Sequence, residues 1–245
     1  MAPYEEDLAY IQAIAFGGLA TGAMPAVIER LRASAVPVRR AIDVGCGAGI
    51  STRALVDAGF DTLAIEPSAP LLAIARKTAP GARFTLGSVY DVALEPCQAV
   101  LALGEALTYH ARDVNADARL RAFFERAARA LAPRGLLIFD LIEAEGPPLD
   151  ARGWSSGDDW AIVYETREDR AARRLTRSIE TFRRPAAGAI GYRRCSEVHD
   201  VRTFDTGIVK QWLDDAGFSV EIADRYGAYA LAPRRRAFFA TLRSL

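Results

Sequence analysis

The sequence predicts an α/β domain built on a mostly parallel seven-stranded sheet, with helices on both faces and an antiparallel β insertion after the fifth strand. Three observations carry this expectation. From Val38 to Leu141, short apolar runs alternate with amphipathic helical stretches. The first run opens into a glycine-dense loop, Ile42-Asp43-Val44-Gly45-Cys46-Gly47-Ala48-Gly49. From Trp160 to Arg202 the pattern changes to charged-and-apolar alternation, which reads as strands.

The elements follow in order. Leu8 to Leu31 reads as helical, interrupted at Gly17-Gly18 and Gly22, with Pro25 near the first turn of a second helix. Residues 1–37 are expected to form an N-terminal helical lid. Val38 to Val44 is a buried strand. Ser51 to Ala58 is a helix closed by Gly59. Asp61 to Ile65 is the second strand, and Ser68 to Lys77 a helix capped by Ser68. Ala82 to Leu86 and Ala99 to Leu103 are the third and fourth strands. Asp117 to Leu131 is a long amphipathic helix stopped by Pro133, and Gly135 to Leu141 is the fifth strand.

Residues 150–203 are expected to form an antiparallel flap over the substrate side. Its strands are Trp160 to Glu168, Arg174 to Arg183 and Ile190 to Arg202. Asp169 to Ala172 and Pro185 to Gly188 are turns, and Gly146-Pro147-Pro148 and Gly153 to Gly157 are loops. Thr206 to Ala216 is the last helix. Phe218 to Ala223 and Ala237 to Leu242 close the sheet as an antiparallel pair.

The 245 residues suit one domain with a substantial core. The formal net charge is zero, so neither nucleic acid nor a membrane surface is an expected partner. Arg173-Arg174, Arg183-Arg184, Arg193-Arg194 and Arg234-Arg235-Arg236 read as a solvated face with interspersed acids. The three cysteines, Cys46, Cys97 and Cys195, are widely spaced, which argues against a disulfide framework or zinc site and fits a reducing cytoplasm. The acidic start lacks a secretory pattern, and no apolar run is long enough to span a bilayer. The sequence leaves a homodimer open.

The glycine loop lies between a strand and a helix N-terminus, where backbone N–H groups can meet an anionic or carboxylate-bearing ligand. It is not the dinucleotide fingerprint G-x-G-x-x-G: Ile50 occupies the place of the third small residue, and Gly49 comes one residue early. The phosphate loop G-x-x-x-x-G-K-[ST] is absent. Three further signals fall at strand ends, where a parallel sheet presents its ligand crevice. Glu66, followed by Pro67, is a carboxylate placed to accept ribose hydroxyls. The others are Leu86-Gly87-Ser88-Val89-Tyr90-Asp91 and Leu103-Gly104-Glu105-Ala106-Leu107-Thr108-Tyr109.

On these motifs, the stretch from Arg39 to Ile142 resembles the class I S-adenosylmethionine-dependent methyltransferases, whose fold is Rossmann-like. The resemblance implies S-adenosylmethionine as cofactor, S-adenosylhomocysteine as product, and no metal. It places Asp43 and the loop of Gly45, Cys46, Gly47 and Gly49 at the amino-acid portion of the cofactor, and Glu66 and Pro67 at the ribose. It places Ser88 and Val89 beside the adenine, and Leu103, Gly104 and Glu105 near the sulfonium. Leu131-Ala132-Pro133-Arg134-Gly135 is similar to the family's Leu-x-Pro-Gly-Gly turn, with Arg134 replacing the first glycine. The Gly104 to Tyr109 stretch and the flap ending in Glu197-Val198-His199-Asp200 resemble a bacterial branch that methylates sugar amines and other secondary metabolites.

Methyl transfer from a sulfonium is an in-line displacement, in which alignment and exclusion of water do most of the work. A base is needed only for an acceptor that arrives protonated and cannot lose its proton to solvent. The candidates are Glu105, Tyr109, His110 and His199; each also has a structural reading, as an orienting, packing or solvated side chain. Tyr4, Tyr10, Phe16, Trp154 and Trp160 are candidates to cover a small-molecule substrate, or else to pack helices and anchor the flap. Cys46 is read as a small residue that fits the loop. A single carboxylate beyond the fourth strand does not suit magnesium, and no Asp/Asn-Pro-Pro-Tyr motif of base-methylating enzymes is present. Two other readings stand beside this one: an NAD-dependent oxidoreductase, and a non-catalytic cofactor-binding protein.

Overall fold

A computed structural model describes residues 3–109, 112–184 and 190–244. Two helices lead, α1 (Glu6–Ala15) and α2 (Gly18–Arg32), followed by β1 (Arg40–Val44), α3 (Ile50–Asp57), β2 (Asp61–Glu66), α4 (Ala69–Thr78) and β3 (Arg83–Leu86). Then come β4 (Cys97–Ala102), α5 (Ala116–Ala130) and β5 (Leu131–Ile142). The insertion holds β6 (Ala151–Ser156), β7 (Trp160–Asp169), β8 (Arg174–Arg183) and β9 (Arg193–Arg202). The chain closes with α6 (Thr206–Asp215), β10 (Phe218–Ala223), β11 (Arg225–Tyr226), β12 (Tyr229–Ala230) and β13 (Arg235–Leu242).

Seven strands form the main sheet in the order β10-β13-β5-β4-β1-β2-β3. All neighbours from β5 to β3 are parallel, while β13 runs antiparallel to both β5 and β10. The Rossmann-like α/β architecture expected from the alternation is therefore present. The strand order reverses between β1 and β4. Their crossovers leave in opposite directions and open a crevice at the strand C-termini.

Strand alternation divides the core into two layers. Ile42, Val44, Val100, Leu137 and Phe139 face α5 and α6, where Leu120, Phe123, Phe124 and Leu213 cover them. Ala41, Ala99, Leu101, Leu136 and Ile138 face α2 and α3, against Met24, Val27, Leu31 and Leu55. Helix α1 is wedged between α4 and the insertion. Ala9 packs on Leu71, while Leu8 and Ile11 join Trp160, Ile162 and Ile179. The buried Asp7 pairs with Arg193 and Arg183 of the inserted sheet. Among the described residues no single helix is long and apolar enough to cross a membrane.

Several expectations need correction. Pro25 sits inside α2 and does not open it. It withholds one N–H from the ladder, and burial of Met24 and Val27 on the sheet keeps the helix together. Pro133 does not stop α5 either, because the chain passes from Ala130 directly into β5. Arg134 takes φ 65 within an irregular stretch where the β4 register shifts. The segment Gly153 to Gly157, expected as loop, largely belongs to β6, a fourth antiparallel strand paired with β7. The expected turn over Pro185 to Gly188 lies outside the described residues.

Gly49 shows why this loop needs its last glycine. Its φ is 86, and a Cβ there would lie 2.9 Å from the Ala75 backbone of α4. Gly49→Ala is expected to destabilise the protein by about 2 kcal/mol or more, from left-handed strain plus overpacking. Urea unfolding compared with the unmodified chain checks this.

Candidate active site

A cavity of about 450 Å³ occupies the crevice, within the roughly 300–1,000 Å³ range of small-molecule sites. Val44, Gly45, Cys46 and Gly47 line it after β1, Glu66 and Pro67 after β2, Ser88 and Val89 after β3, and Leu103 and Gly104 after β4. Four separate strand ends thus converge, as expected from the order reversal. Pro3, Tyr4, Gln12 and Phe16 close it from the N-terminal side, and Tyr109 from beyond β4.

The loop is held by its own backbone. The Gly45 and Cys46 N–H groups donate to the Ile65 carbonyl at 2.8 and 3.2 Å, and Gly49 N–H donates to the Cys46 carbonyl at 2.9 Å. Gly47 takes φ 55, and a Cβ there would meet nothing within 4 Å. It borders open cavity, so a bound group can approach the backbone directly. Gly104, at φ 74, is open in the same way. Burial pushes the Cys46 thiol up, so it stays protonated.

Glu66 is the one charged side chain among the described lining residues. Its Oε2 accepts from Gly47 N–H at 3.0 Å and its Oε1 from Ser68 N–H at 2.8 Å. Burial raises its carboxyl to about 7, although these two N–H donors oppose the shift. A desolvated carboxylate with unused lone pairs facing a cavity is suited to hydroxyl donors from a ligand.

Asp43 is placed differently from the expectation. It lies beneath the loop rather than along the cavity. Its Oδ2 accepts from Ser51 Oγ at 2.7 Å and Thr52 Oγ1 at 2.6 Å. It therefore ties β1 to the first turn of α3, and burial pushes its carboxyl up to about 6 against those two hydroxyls. Gly49 likewise serves the approach of α3 to α4.

Glu105 departs furthest from expectation. It is 2% exposed, takes φ 68, and is not part of the cavity lining. Arg177 of β8 grips it with two hydrogen bonds, at 2.7 and 3.0 Å, and Arg235 of β13 binds Oε1 as well. Burial pushes its carboxyl up, but the two guanidiniums more than offset this and hold it below the usual range. Its N–H and that of Gly104 donate to Asp140. An acid paired with two guanidiniums fastens the insertion to the core and is not a free base.

His199 is also withdrawn from the cavity. It is 4% exposed, and its Nε2 lies 2.8 Å from Glu197 Oε2. Its ring sits edge-on to Tyr4 and Tyr109, behind the wall those two form. Tyr4 and Tyr109 do reach the cavity, with their hydroxyls 2.8 Å apart. Burial raises both phenols above their usual range, so both remain neutral. His110 lies outside the described residues.

Of the aromatic candidates, Phe16 and Tyr4 line the cavity. Tyr10 does not: its hydroxyl donates to Asp159 and its ring lies under Arg183. Trp160 is 7% exposed in the α1–insertion cluster, an anchor rather than a cover. Trp154 is 76% exposed on the opposite face of the inserted sheet, since β6 alternation turns it away from the core.

Sequence reasoning missed Arg177, Arg235, Asp140 and Glu197, whose partners are remote in the chain. Ser51 and Thr52 had a local signal: hydroxyls just past the loop, within reach of the preceding acid. Glu105→Gln is expected to cost about 3–5 kcal/mol of stability, because it leaves two buried guanidiniums without their anion. Thermal and denaturant unfolding at neutral pH measure that loss.

Residues 42–139 match the family model of a methyltransferase domain. A protein of Geobacillus sp. (strain WCH70) named as a methyltransferase is 26% identical over 190 residues, covering 74% of each chain. Among solved structures, an S-adenosylmethionine-dependent methyltransferase from Clostridium acetobutylicum ATCC 824 aligns with TM-score 0.78 and 16% identity, over 96% of this chain and 97% of that one. The sugar N-methyltransferase KedS8 from Streptoalloteichus sp. ATCC 53650 aligns with TM-score 0.76 and 23% identity, over 100% of this chain and 94% of its own. At these identities the two structures speak to the fold, while the family model covers the strands and loops that build the crevice. Residues 42–139 are thus a methyltransferase domain, and the chain around them shares the fold of S-adenosylmethionine-dependent methyltransferases.

Proposed function

We propose that the protein transfers a methyl group from S-adenosylmethionine to an N or O atom of a small-molecule metabolite by in-line displacement. The observation that carries this reading is Glu66, a buried carboxylate at the end of β2 that faces the cavity across from the open backbone at Gly47. The residues present fit the cofactor. Glu66 would accept the ribose hydroxyls, the Gly45–Gly47 backbone would hold the amino-acid portion, and Ser88 and Val89 would flank the adenine. Leu103 and Gly104 would border the reacting centre. When bound, the cofactor supplies an electrophilic methyl group.

The chain's own contribution is alignment and exclusion of water. Tyr4 and Tyr109, both neutral, offer the acceptor hydrogen-bonding hydroxyls without a negative charge. No Lys, Arg or His is among the described lining residues, which favours an acceptor group that enters uncharged and releases its proton to solvent. The chain-wide alignment with a sugar N-methyltransferase supports an amine of a sugar-like or other secondary metabolite. We further propose that residues 1–37 act as a lid and the inserted sheet as the substrate-side cover. Their contacts with each other through Asp7, Leu8 and Ile11 support this.

The test uses the Glu66 ionisation. Ribose hydroxyls donate to the ionised carboxylate, so S-adenosylhomocysteine affinity is expected to rise as pH climbs through about 7. Glu66→Gln should flatten this profile and weaken binding by about 1.5–3 kcal/mol per lost hydrogen bond. Calorimetric titrations across that window check both, and equal, pH-independent affinities in the two proteins contradict the assignment. In the ligand-free protein the sign is opposite. The raised carboxyl lends stability below the usual value of 4.5 that is lost as pH rises through about 7. Glu66→Gln should remove that slope from pH-dependent unfolding curves.

A further inference from the structure

Resting on the cofactor reading above, we infer that Glu197 is a positioning residue that locks an N-terminal strap, Pro3 to Glu5, over the cavity and makes cofactor affinity depend on the inserted sheet. Glu197 lies on β9, 192 and 193 residues from the groups it holds. Its Oε2 accepts from the Tyr4 N–H at 2.9 Å and its Oε1 from the Glu5 N–H at 2.9 Å. Successive backbone N–H groups form an anion-binding concavity, and here the anion comes from the flap. Tyr4 takes φ 65, a conformation that a side-chain-bearing residue adopts only where its surroundings hold it.

The strap's other edge meets the cofactor side. The Tyr4 carbonyl accepts from Ser68 Oγ at 2.7 Å, and the Ser68 N–H donates to Glu66 Oε1 at 2.8 Å. Glu66, Ser68, Tyr4 and Glu197 therefore form one unbroken chain of hydrogen bonds from the ribose carboxylate to the inserted sheet. Pro3, Tyr4 and Glu66 line the same cavity, so a ligand against Glu66 also lies against the strap. Glu197 does not line it.

His199 takes its place in this arrangement. Its Nε2 fixes Glu197 Oε2 from one side, and its ring supports the Tyr4 and Tyr109 rings from behind. It orients the carboxylate that holds the strap. Because coupling free energies are reciprocal, whatever loosens the strap weakens the cofactor, and the cofactor in turn tightens the strap.

The experiment is calorimetric titration of the full chain and of Glu197→Gln with S-adenosylhomocysteine, combined with hydrogen exchange at the Tyr4 and Glu5 amides with and without that ligand. The expected result is a loss of affinity of about five-fold or more in Glu197→Gln. In the unmodified protein the ligand slows exchange at both amides, and in the variant it does not. Glu197→Asp, which keeps both oxygens, should recover part of the affinity. A purely structural role would lower the unfolding temperature without this ligand-dependent change in exchange. Equal affinity in the two proteins, or Tyr4 and Glu5 amides in the unmodified protein that exchange equally with and without ligand, overturns the inference and leaves the cofactor assignment standing. The exchange comparison needs no variant, so it decides the matter even where Glu197→Gln does not fold. Failure of the unmodified chain to bind S-adenosylhomocysteine at all overturns the cofactor reading and this inference with it.

Discussion

Glu105 sits where three parts of the molecule meet: the end of β4, the inserted sheet through Arg177, and the antiparallel strand β13 through Arg235. Its carboxylate is removed from water and would be costly to keep ionised alone. Two guanidiniums meet that cost, and Asp140 holds the backbone of the same turn. The turn at Gly104 and Glu105, left-handed at both residues, places Gly104 in the cavity wall beside Leu103. One buried ion-pair cluster thus ties the insertion to the turn after β4 and to β13, beside its second attachment to α1 through Asp7. An acid at this position looks catalytic in sequence, and in three dimensions it holds the scaffold together.

Glu66 shows the contrasting fate of a buried carboxylate that does line the cavity. Among the described residues no guanidinium reaches it, and its partners are two backbone N–H groups. Desolvation therefore wins, and the group titrates near neutrality. It has accepting capacity left over, directed at open space. The difference between the two acids lies in what surrounds them. Glu105 has both oxygens held by guanidiniums, whereas Glu66 has only two backbone N–H donors and faces open cavity.

The parallel core was legible because its signals are local. Buried strands read as continuous apolar runs, and Gly45, Gly47 and Gly49 mark a turn whose positive φ values exclude most other residues. The strand ends carrying Glu66, Ser88 and Gly104 followed from that register, and all three line the cavity. What the sequence concealed was long-range. Arg177 and Arg235 lie 72 and 130 residues from Glu105, and no spacing rule joins them. Strand β6 was hidden because Gly153, Ser155, Ser156 and Gly157 mimic a loop, while its pairing comes from β7. Trp154 and Trp160 share one segment but face opposite sides of the inserted sheet, which only strand register decides.

The central claim is that the crevice between β1 and β4 binds an adenosyl-sulfonium cofactor rather than a dinucleotide. Ile50 in place of the third small residue, and Gly49 packed on Ala75, set this loop apart from the dinucleotide fingerprint. The most direct measurement is calorimetric titration of the purified chain with S-adenosylhomocysteine and, in parallel, with NADH. The account predicts saturable, one-to-one binding of S-adenosylhomocysteine and none of NADH. Binding of NADH alone would contradict it and turn the glycine loop toward hydride chemistry.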